Sequence, residues 1–346
     1  MQHVESENIY RLKNIGLPAI RVLNDLATAT RLSPEFLKII SGRSKRFYKI
    51  YEIEKKSGGR RIISQPSREL KAIQGWILRN ILDKLSVSPY SKGFEKNTSI
   101  LDNAYPHIGA NYILSLDIED FFPSIHASHV YNIYRSVGYS KNISRIFTNL
   151  SVYDGGLPQG APTSPKLANL ICSKLDARVS GYAGPKGITY TRYADDLTLS
   201  AQTAKKILKA HDFIKFILKD EGLTVNDKKT CIQGPRKKKI VTGLVVTEKS
   251  VGVGREQLRI IRAKIHHLFT GENSDIAHVN GLISYLYGVD KKSYRKTIQY
   301  IDKLTQKFGY SPQNLISSKE RIVKSKKSNS IQKKKSVKPV ISISDA

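Results

Sequence analysis

The chain has 346 residues, 40% of them apolar, enough to bury a core in one large domain or roughly two to three subdomains. Its 58 Lys and Arg outweigh 29 Asp and Glu, and the resulting +29 points to a polyanionic partner, nucleic acid before an anionic membrane surface. No apolar run approaches the roughly 18 residues of a spanning helix, and the N-terminus lacks the basic-then-apolar layout of a signal peptide, so a cytoplasmic protein with no membrane partner is expected. The two cysteines, Cys172 and Cys231, form no C-x-x-C pair, which removes zinc-finger and zinc-knuckle readings. Both are expected to be buried thiols.

Residues 1–45 read as short helices with scattered basic residues. Phe47 to Glu54, the turn Lys56-Ser-Gly-Gly59 and Arg60-Arg61-Ile62-Ile63 read as a basic hairpin. Its arginine could grip phosphates, because a guanidinium fork matches phosphate geometry. Ser67 is a candidate N-cap for a helix whose Leu70, Ile73, Ile77, Leu78, Ile81 and Leu85 make one apolar face. The stretch Tyr112 to Asp117 is an apolar strand running into Glu119, Asp120, Phe121, Phe122 and Pro123. A carboxylate at the mouth of a buried strand must be paired, neutralised or metal-bound.

Residues 128–152 read as helical. Between Gly155 and Pro165 the density of Gly and Pro excludes regular structure, and a glycine-flanked Gln159 there could let a nucleotide approach the backbone. Ser164 as N-cap and Pro165 at the first helical position then start a helix.

Two alternating runs, Ile188–Tyr193 and Leu197–Ala201, read as antiparallel strands flanking Ala194-Asp195-Asp196. Adjacent carboxylates at a hairpin tip repel each other unless cations sit there. Hard oxygen donors of this kind suit Mg²⁺. Thr203 to Gly222 reads as a helix with Ile207, Leu208, Ile214, Ile217 and Leu218 inward. Short strands follow, including Val241-Thr242-Gly243, and then a helical pattern over about 254–308 with Ile260, Ile265 and Leu268 in the core. Residues 319–338 carry nine Lys or Arg against one Glu and read as a flexible basic extension.

Asp117, Asp195 and Asp196 thus stand out together with Gln159 and a basic hairpin. Such carboxylates could hold two Mg²⁺ ions about 4 Å apart, the arrangement of nucleotidyl transfer. Four stretches in order resemble the motifs of a reverse transcriptase, most specifically a bacterial retron reverse transcriptase. They are Leu-Asp-Ile-Glu-Asp-Phe-Phe-Pro-Ser around Asp117, Leu157-Pro-Gln-Gly-Ala-Pro-Thr-Ser-Pro, Tyr193-Ala-Asp-Asp, and Gly222-Leu-Thr-Val-Asn-Asp-Lys-Lys-Thr. The resemblance covers roughly residues 10–310. It is narrowed by Asn103-Ala-Tyr-Pro-His107, similar to the family's N-A-x-x-H element, and by Val241-Thr242-Gly243, similar to its V-T-G element.

The resemblance implies an α+β right hand. A helical segment over 1–45 would precede fingers over 46–110. A palm over 111–250 would carry a fingers insertion at about 125–165, followed by a helical thumb over 251–318 and a basic tail over 319–346. Asp117, Asp195 and Asp196 would bind the two Mg²⁺ ions, with the Ile118 carbonyl as a further ligand. Phe122 would exclude a 2′-hydroxyl and select dNTP substrates. Gln159 would line the nucleotide pocket, and Arg61 would hold the triphosphate. Lys228 or Lys229 would assist pyrophosphate departure. Asn103, His107, Val241, Thr242 and Gly243 would contact RNA. The family implies reverse transcription of a cognate structured non-coding RNA from a guanosine 2′-hydroxyl, giving a branched RNA–DNA hybrid (multicopy single-stranded DNA, msDNA). A host ribonuclease H would trim the RNA, and a toxic effector protein would complete an antiphage defence unit. Two other readings are an abortive-infection type of reverse transcriptase and a structural RNA-binding protein on a polymerase scaffold.

Overall fold

The computed structural model describes residues 10–55, 58–271 and 275–316. The basic tail expected over 319–346, and Lys56 and Ser57 of the expected turn, lie outside the described residues. Packing divides the described residues into two compact units, one of residues up to Thr98 together with Leu114–Ile232, the other of Ser99–Ile113 together with the described residues after Ile232.

The first unit opens with helices over Leu23–Thr30 and Pro34–Gly42. Strands β1 (Tyr48–Glu54) and β2 (Arg60–Pro66) then form an antiparallel hairpin, registered Glu54 to Arg60 and Ile53 to Arg61. The helix Arg68–Asn80 starts at Ser67, whose hydroxyl accepts from Leu70 N at 3.3 Å. Its Leu70, Ile73 and Ile77 are buried. Burying each such side chain contributes about 1.5–3 kcal/mol relative to leaving it in water.

Four strands carry the unit's chemistry: β3 (Tyr112–Asp117), β4 (Thr189–Tyr193), β5 (Asp196–Ala201) and β6 (Cys231–Gln233), in sheet order β4-β5-β3-β6. From Leu197 to Ala201 every residue of β5 is buried, as a strand covered on both faces requires. The 128–152 region is two helices, Ala127–Val137 and Lys141–Ser151, parted at Gly138 with φ 120°. Helices Ser164–Ile171, Ser173–Ala183 and Ala204–Asp220 follow, the last stopped at Gly222 with φ 73°.

The second unit has an antiparallel sheet of β7 (Lys239–Val241), β8 (Leu244–Val246) and β9 (Val251–Gly252). Helices Gly254–Thr270, Ile276–Val289 and Lys291–Phe308 complete it. Val241, Leu244, Ile261, Ile265, Ile283 and Ile301 are among the residues of a buried cluster in it.

Five expectations need correction. Leu208 is exposed, because the buried face of its helix is set by Ile207, Ala210, Ile214 and Ile217. Ile260 is exposed and Ile261 takes its place in the core. Cys172 is buried as expected, but Cys231 is exposed, because β6 is the edge strand of its sheet. The helix after the Gly-Pro loop begins one residue early. Thr163 stands before Ser164, whose hydroxyl donates to Pro158 O at 2.8 Å instead of capping. Val241-Thr242-Gly243 is a strand end and a turn: β7 and β8 pair Val241 with Leu244, and Thr242 and Gly243 have φ 45° and 80°. Two positive φ values at the central residues mark a type I′ hairpin.

Candidate active site

The strand pair β4–β5 is registered Tyr193 to Asp196, which leaves Ala194 and Asp195 as the two central turn residues. Ala194 has φ 59°. A positive φ at the first central residue alone is the type II′ pattern, where Gly is the usual occupant. An Ala there costs of order 1–3 kcal/mol and persists only when its surroundings hold it.

The end of β3 is fastened to that turn. Ile118 N donates to Asp195 O at 3.0 Å, placing Asp117 beside the Asp195-Asp196 pair. On the other side, Asn226 N donates to Asp117 O and Glu119 N to Thr224 O, both at 2.8 Å. These two bonds flank Ile118 and use neither its N–H nor its carbonyl, so that carbonyl can still act as a ligand. The same attachment brings the 223–230 segment round, and Lys229 Nζ sits 2.9 and 3.0 Å from the two carboxylate oxygens of Asp117. Of the two candidate lysines it is Lys229 that reaches the carboxylates. Its own pKa is raised by that hydrogen bond.

The acidic cluster is electrostatically crowded. Surrounding protein, then repulsion from Asp195 and Asp117, pushes Asp196 up to about 6. Asp195 is also raised, chiefly by burial, while the charges of Lys229 and Arg61 pull it back. Among the described residues no three His, Cys, Asp or Glu side chains close into a metal cage. An open set of hard carboxylate oxygens under mutual repulsion fits Mg²⁺, which completes its shell with water and substrate phosphates.

Protons and metal compete for such a site. Half-saturating Mg²⁺, read from a binding isotherm, is expected to rise as pH falls below about 6, where Asp196 protonates. The linkage for stability has the opposite sense. A carboxyl raised in the folded state holds its proton longer than in the unfolded chain. The metal-free protein therefore loses stability as pH rises from about 4 toward 6 and stays lower above that.

The remaining first-unit candidates lie on β2, the Gly-Pro loop and the helix after β3. Ser64 N donates to Gln159 O at 2.9 Å, joining β2 to the Gly-Pro loop. Gly160 has φ 136°, and a Cβ there would lie 2.9 Å from Ser64 O, so only Gly allows the approach. On β2, Arg60 is engaged by Glu52 at 2.8 Å, whereas the charge of Arg61 is felt at Asp195. The Phe122 ring is half-buried, with ring centres of Phe121 at 5.4 Å and Phe94 at 6.0 Å.

Phe94 was not among the sequence candidates. It is exposed with φ 63°, next to Gly93, where a Cβ would lie 2.7 Å from Ala194 N. Its only sequence signal was the Gly-Phe pair, which has no period to betray it.

The RNA candidates lie in the second unit. Asn103 and His107 are fully buried, and burial pushes His107 down to about 4. As placed, both side chains lie in the interior of that unit and neither reaches its surface. Val241 is buried in the core, and only Thr242 and Gly243 reach the surface, at the hairpin tip. Thr242 Oγ1 donates to Ile100 O at 3.3 Å, anchoring that tip to the short helix Ile100–Ala104.

Residues 53–246 match the reverse transcriptase (RNA-dependent DNA polymerase) family. The chain is 56% identical over 316 residues to the retron Ec86 reverse transcriptase of Escherichia coli, covering 91% of this chain and 99% of the relative. It is 33% identical to the retron Mx65 reverse transcriptase of Myxococcus xanthus, covering 80% and 70%. It is 30% identical to the retron Ec83 reverse transcriptase of Escherichia coli, covering 82% and 94%. Among solved structures it is similar to telomerase from Candida albicans in complex with a telomeric RNA fragment, at TM-score 0.43, 12% identity and coverage of 75% and 59%. It is also similar to the foamy viral protease-reverse transcriptase with double-stranded DNA, at TM-score 0.43, 15% identity and coverage of 75% and 43%. No helix among the described residues is long and apolar enough to cross a membrane. With a reverse transcriptase family match over more than half its length and a retron relative 56% identical over 91% of it, the chain belongs to the retron reverse transcriptases, RNA-directed DNA polymerases that make msDNA.

Proposed function

We propose that this enzyme copies a cognate non-coding RNA by extending a guanosine 2′-hydroxyl of that RNA, so that its product is a branched RNA–DNA hybrid used in antiphage defence. The observation that carries the reading is the bond from Ile118 N to Asp195 O, which sets Asp117 beside the Asp195-Asp196 pair in a retron family member.

Asp117, Asp195 and Asp196 would hold two Mg²⁺ ions, with the Ile118 carbonyl as a further donor. Bound there, the metal supplies charge neutralisation at the attacking hydroxyl and the leaving pyrophosphate. Arg61 grips the triphosphate from β2, and Gln159, tied to β2 through its backbone, orients the incoming nucleotide. Lys229, the lysine whose Nζ meets Asp117, would give its proton to the departing pyrophosphate. Phe122, backed by Phe121 and Phe94, presents a ring where a 2′-hydroxyl would clash. Phe122→Ala is therefore expected to raise ribonucleotide incorporation about tenfold or more in competition assays, since steric rejection of one polar group is typically worth a few kcal/mol. Unchanged discrimination would leave Phe122 as packing only.

The expected partners are the cognate RNA with its msDNA, a host ribonuclease H that trims the RNA, and a toxic effector protein. The test is on nucleic acid copurifying from the native host, run on denaturing gels after ribonuclease, deoxyribonuclease and debranching enzyme. A discrete species shifted by all three is expected. RNA alone would instead support a binding scaffold. Unbranched DNA linked to protein would support the abortive-infection type.

A further inference from the structure

The turn that carries Asp195 and Asp196 stands on a buried ion pair. Arg192, in β4, has no exposed surface, and neither has Asp176 in the helix Ser173–Ala183. Arg192 Nε and Nη2 donate to the two carboxylate oxygens of Asp176, each at 2.8 Å. Nη1 then has two further acceptors, Asn169 Oδ1 at 3.1 Å and the Ala194 carbonyl at 3.0 Å. Tyr190 donates its hydroxyl at 2.7 Å to Asp176 Oδ1, the oxygen that also accepts from Arg192 Nε. The backbone of Arg192 is held as well: its N–H donates to Tyr90 O at 2.8 Å, and its carbonyl accepts from Lys92 N at 2.7 Å.

The acceptor that matters is Ala194 O. Ala194 is the non-glycine residue held at φ 59°, one position before Asp195. A hydrogen bond from a cation to its carbonyl fixes the peptide plane that leads into both carboxylates. Asn169 extends the support, because its Nδ2 donates to Gly93 O at 2.8 Å, and Gly93 is the residue packed against Ala194 N.

Stability alone does not account for these charges. A buried ion pair is commonly no better than well-packed apolar side chains of similar volume, since desolvation offsets the attraction. What apolar residues cannot supply is a donor directed at one carbonyl. We propose that Arg192 is a positioning residue for the polymerase reaction, holding Ala194 O so that Asp195 and Asp196 keep the separation their cations require. Asp176 and Asn169 orient the guanidinium. Lysine cannot replace it, because one ammonium lacks the planar fork that meets Asp176 twice and still reaches the turn.

The proposal rests on reading Asp195 and Asp196 as metal ligands, so its test separates the two ideas. The full-length protein would be compared as wild type, Arg192→Met/Asp176→Leu, Arg192→Lys and Asp195→Asn. Thermal melting, Mn²⁺ binding by electron paramagnetic resonance, and primer extension would be read on each. The double variant, which strips Asn169 Oδ1 and the Tyr190 hydroxyl of these partners, is expected to fold with a lowered melting temperature, to bind Mn²⁺ at least about tenfold more weakly, and to lose about 10²-fold in kcat with little change in dNTP KM. Arg192→Lys covers the case in which the double variant does not fold, and the same split between kcat and KM is expected of it. Wild-type Mn²⁺ binding and kcat in a folded double variant or in Arg192→Lys would overturn the positioning role. Wild-type Mn²⁺ binding in Asp195→Asn would instead overturn the ligand assignment beneath it.

Discussion

Asp195→Asn is expected to lower primer extension by at least about 10³-fold, equivalent to about 4 kcal/mol of transition-state stabilisation. The amide keeps the shape of the side chain and can still accept a hydrogen bond. It cannot carry the negative charge that holds a divalent cation. RNA binding should persist, because phosphate contacts depend on the wider positive surface of a chain with net charge +29. The melting temperature of the metal-free variant should match or exceed wild type. Asp195 and Asp196 repel each other, so deleting one charge relieves the cluster. Extension on a defined RNA template, gel-shift affinity and a thermal melt would check all three. Wild-type extension by this variant would remove Asp195 from the chemistry.

Gly93→Ala is the second large effect. A Cβ at this position would lie 2.7 Å from Ala194 N, 3.2 Å from Tyr193 C and 3.3 Å from Tyr193 Cδ1. Two of those atoms are backbone, and that backbone is already held from Arg192 Nη1 and from Ile118 N. It has little freedom to retreat. Either the turn or the 90–94 segment must shift, and displacing a catalytic group by even 1 Å can cost about 10²-fold in rate. Overpacking of this kind also destabilises by about 1–3 kcal/mol. Gly181→Ala is the matched control, since a Cβ there meets nothing within 4 Å and the residue is helical. A Gly93→Ala enzyme with wild-type extension and melting would show that the turn tolerates displacement.

Most of the secondary structure was legible because it is periodic. The alternation through Ile188–Tyr193 and Leu197–Ala201 specifies β4 and β5. The three- and four-residue steps from Leu70 specify the helix that Ser67 caps. Asp117, Asp195 and Asp196 were legible for a different reason: carboxylates at strand ends are a poor choice unless something cationic belongs there. What escaped has no local signature. Arg192 and Asp176 are sixteen residues apart, and each alone looks like an ordinary charged residue. Phe94 depends on a backbone conformation that sequence does not display. Leu208 and Ile260 were misassigned because helical stepping fixes a set of faces, and tertiary packing selects which of them is covered. The burial of Asn103 and His107 was not legible, because a polar residue in a motif shows nothing of whether it faces inward. In the V-T-G stretch the β-branched Thr242 suggested strand, yet the Gly after it permits the I′ turn that Thr242 joins at φ 45°.

The Lys229–Asp117 contact changes what loading the enzyme means. In the metal-free protein the carboxylate already has a counter-ion, and that counter-ion is part of the chain. On the proposed reading, cation uptake would be an exchange in which an incoming ion displaces a tethered one. The displaced ammonium would stay within a side chain's length of the carboxylates, where it could meet the triphosphate oxygens of the incoming nucleotide. On the proposed reading one lysine would serve both as counter-ion to Asp117 and, once metal is bound, as proton donor to the leaving group.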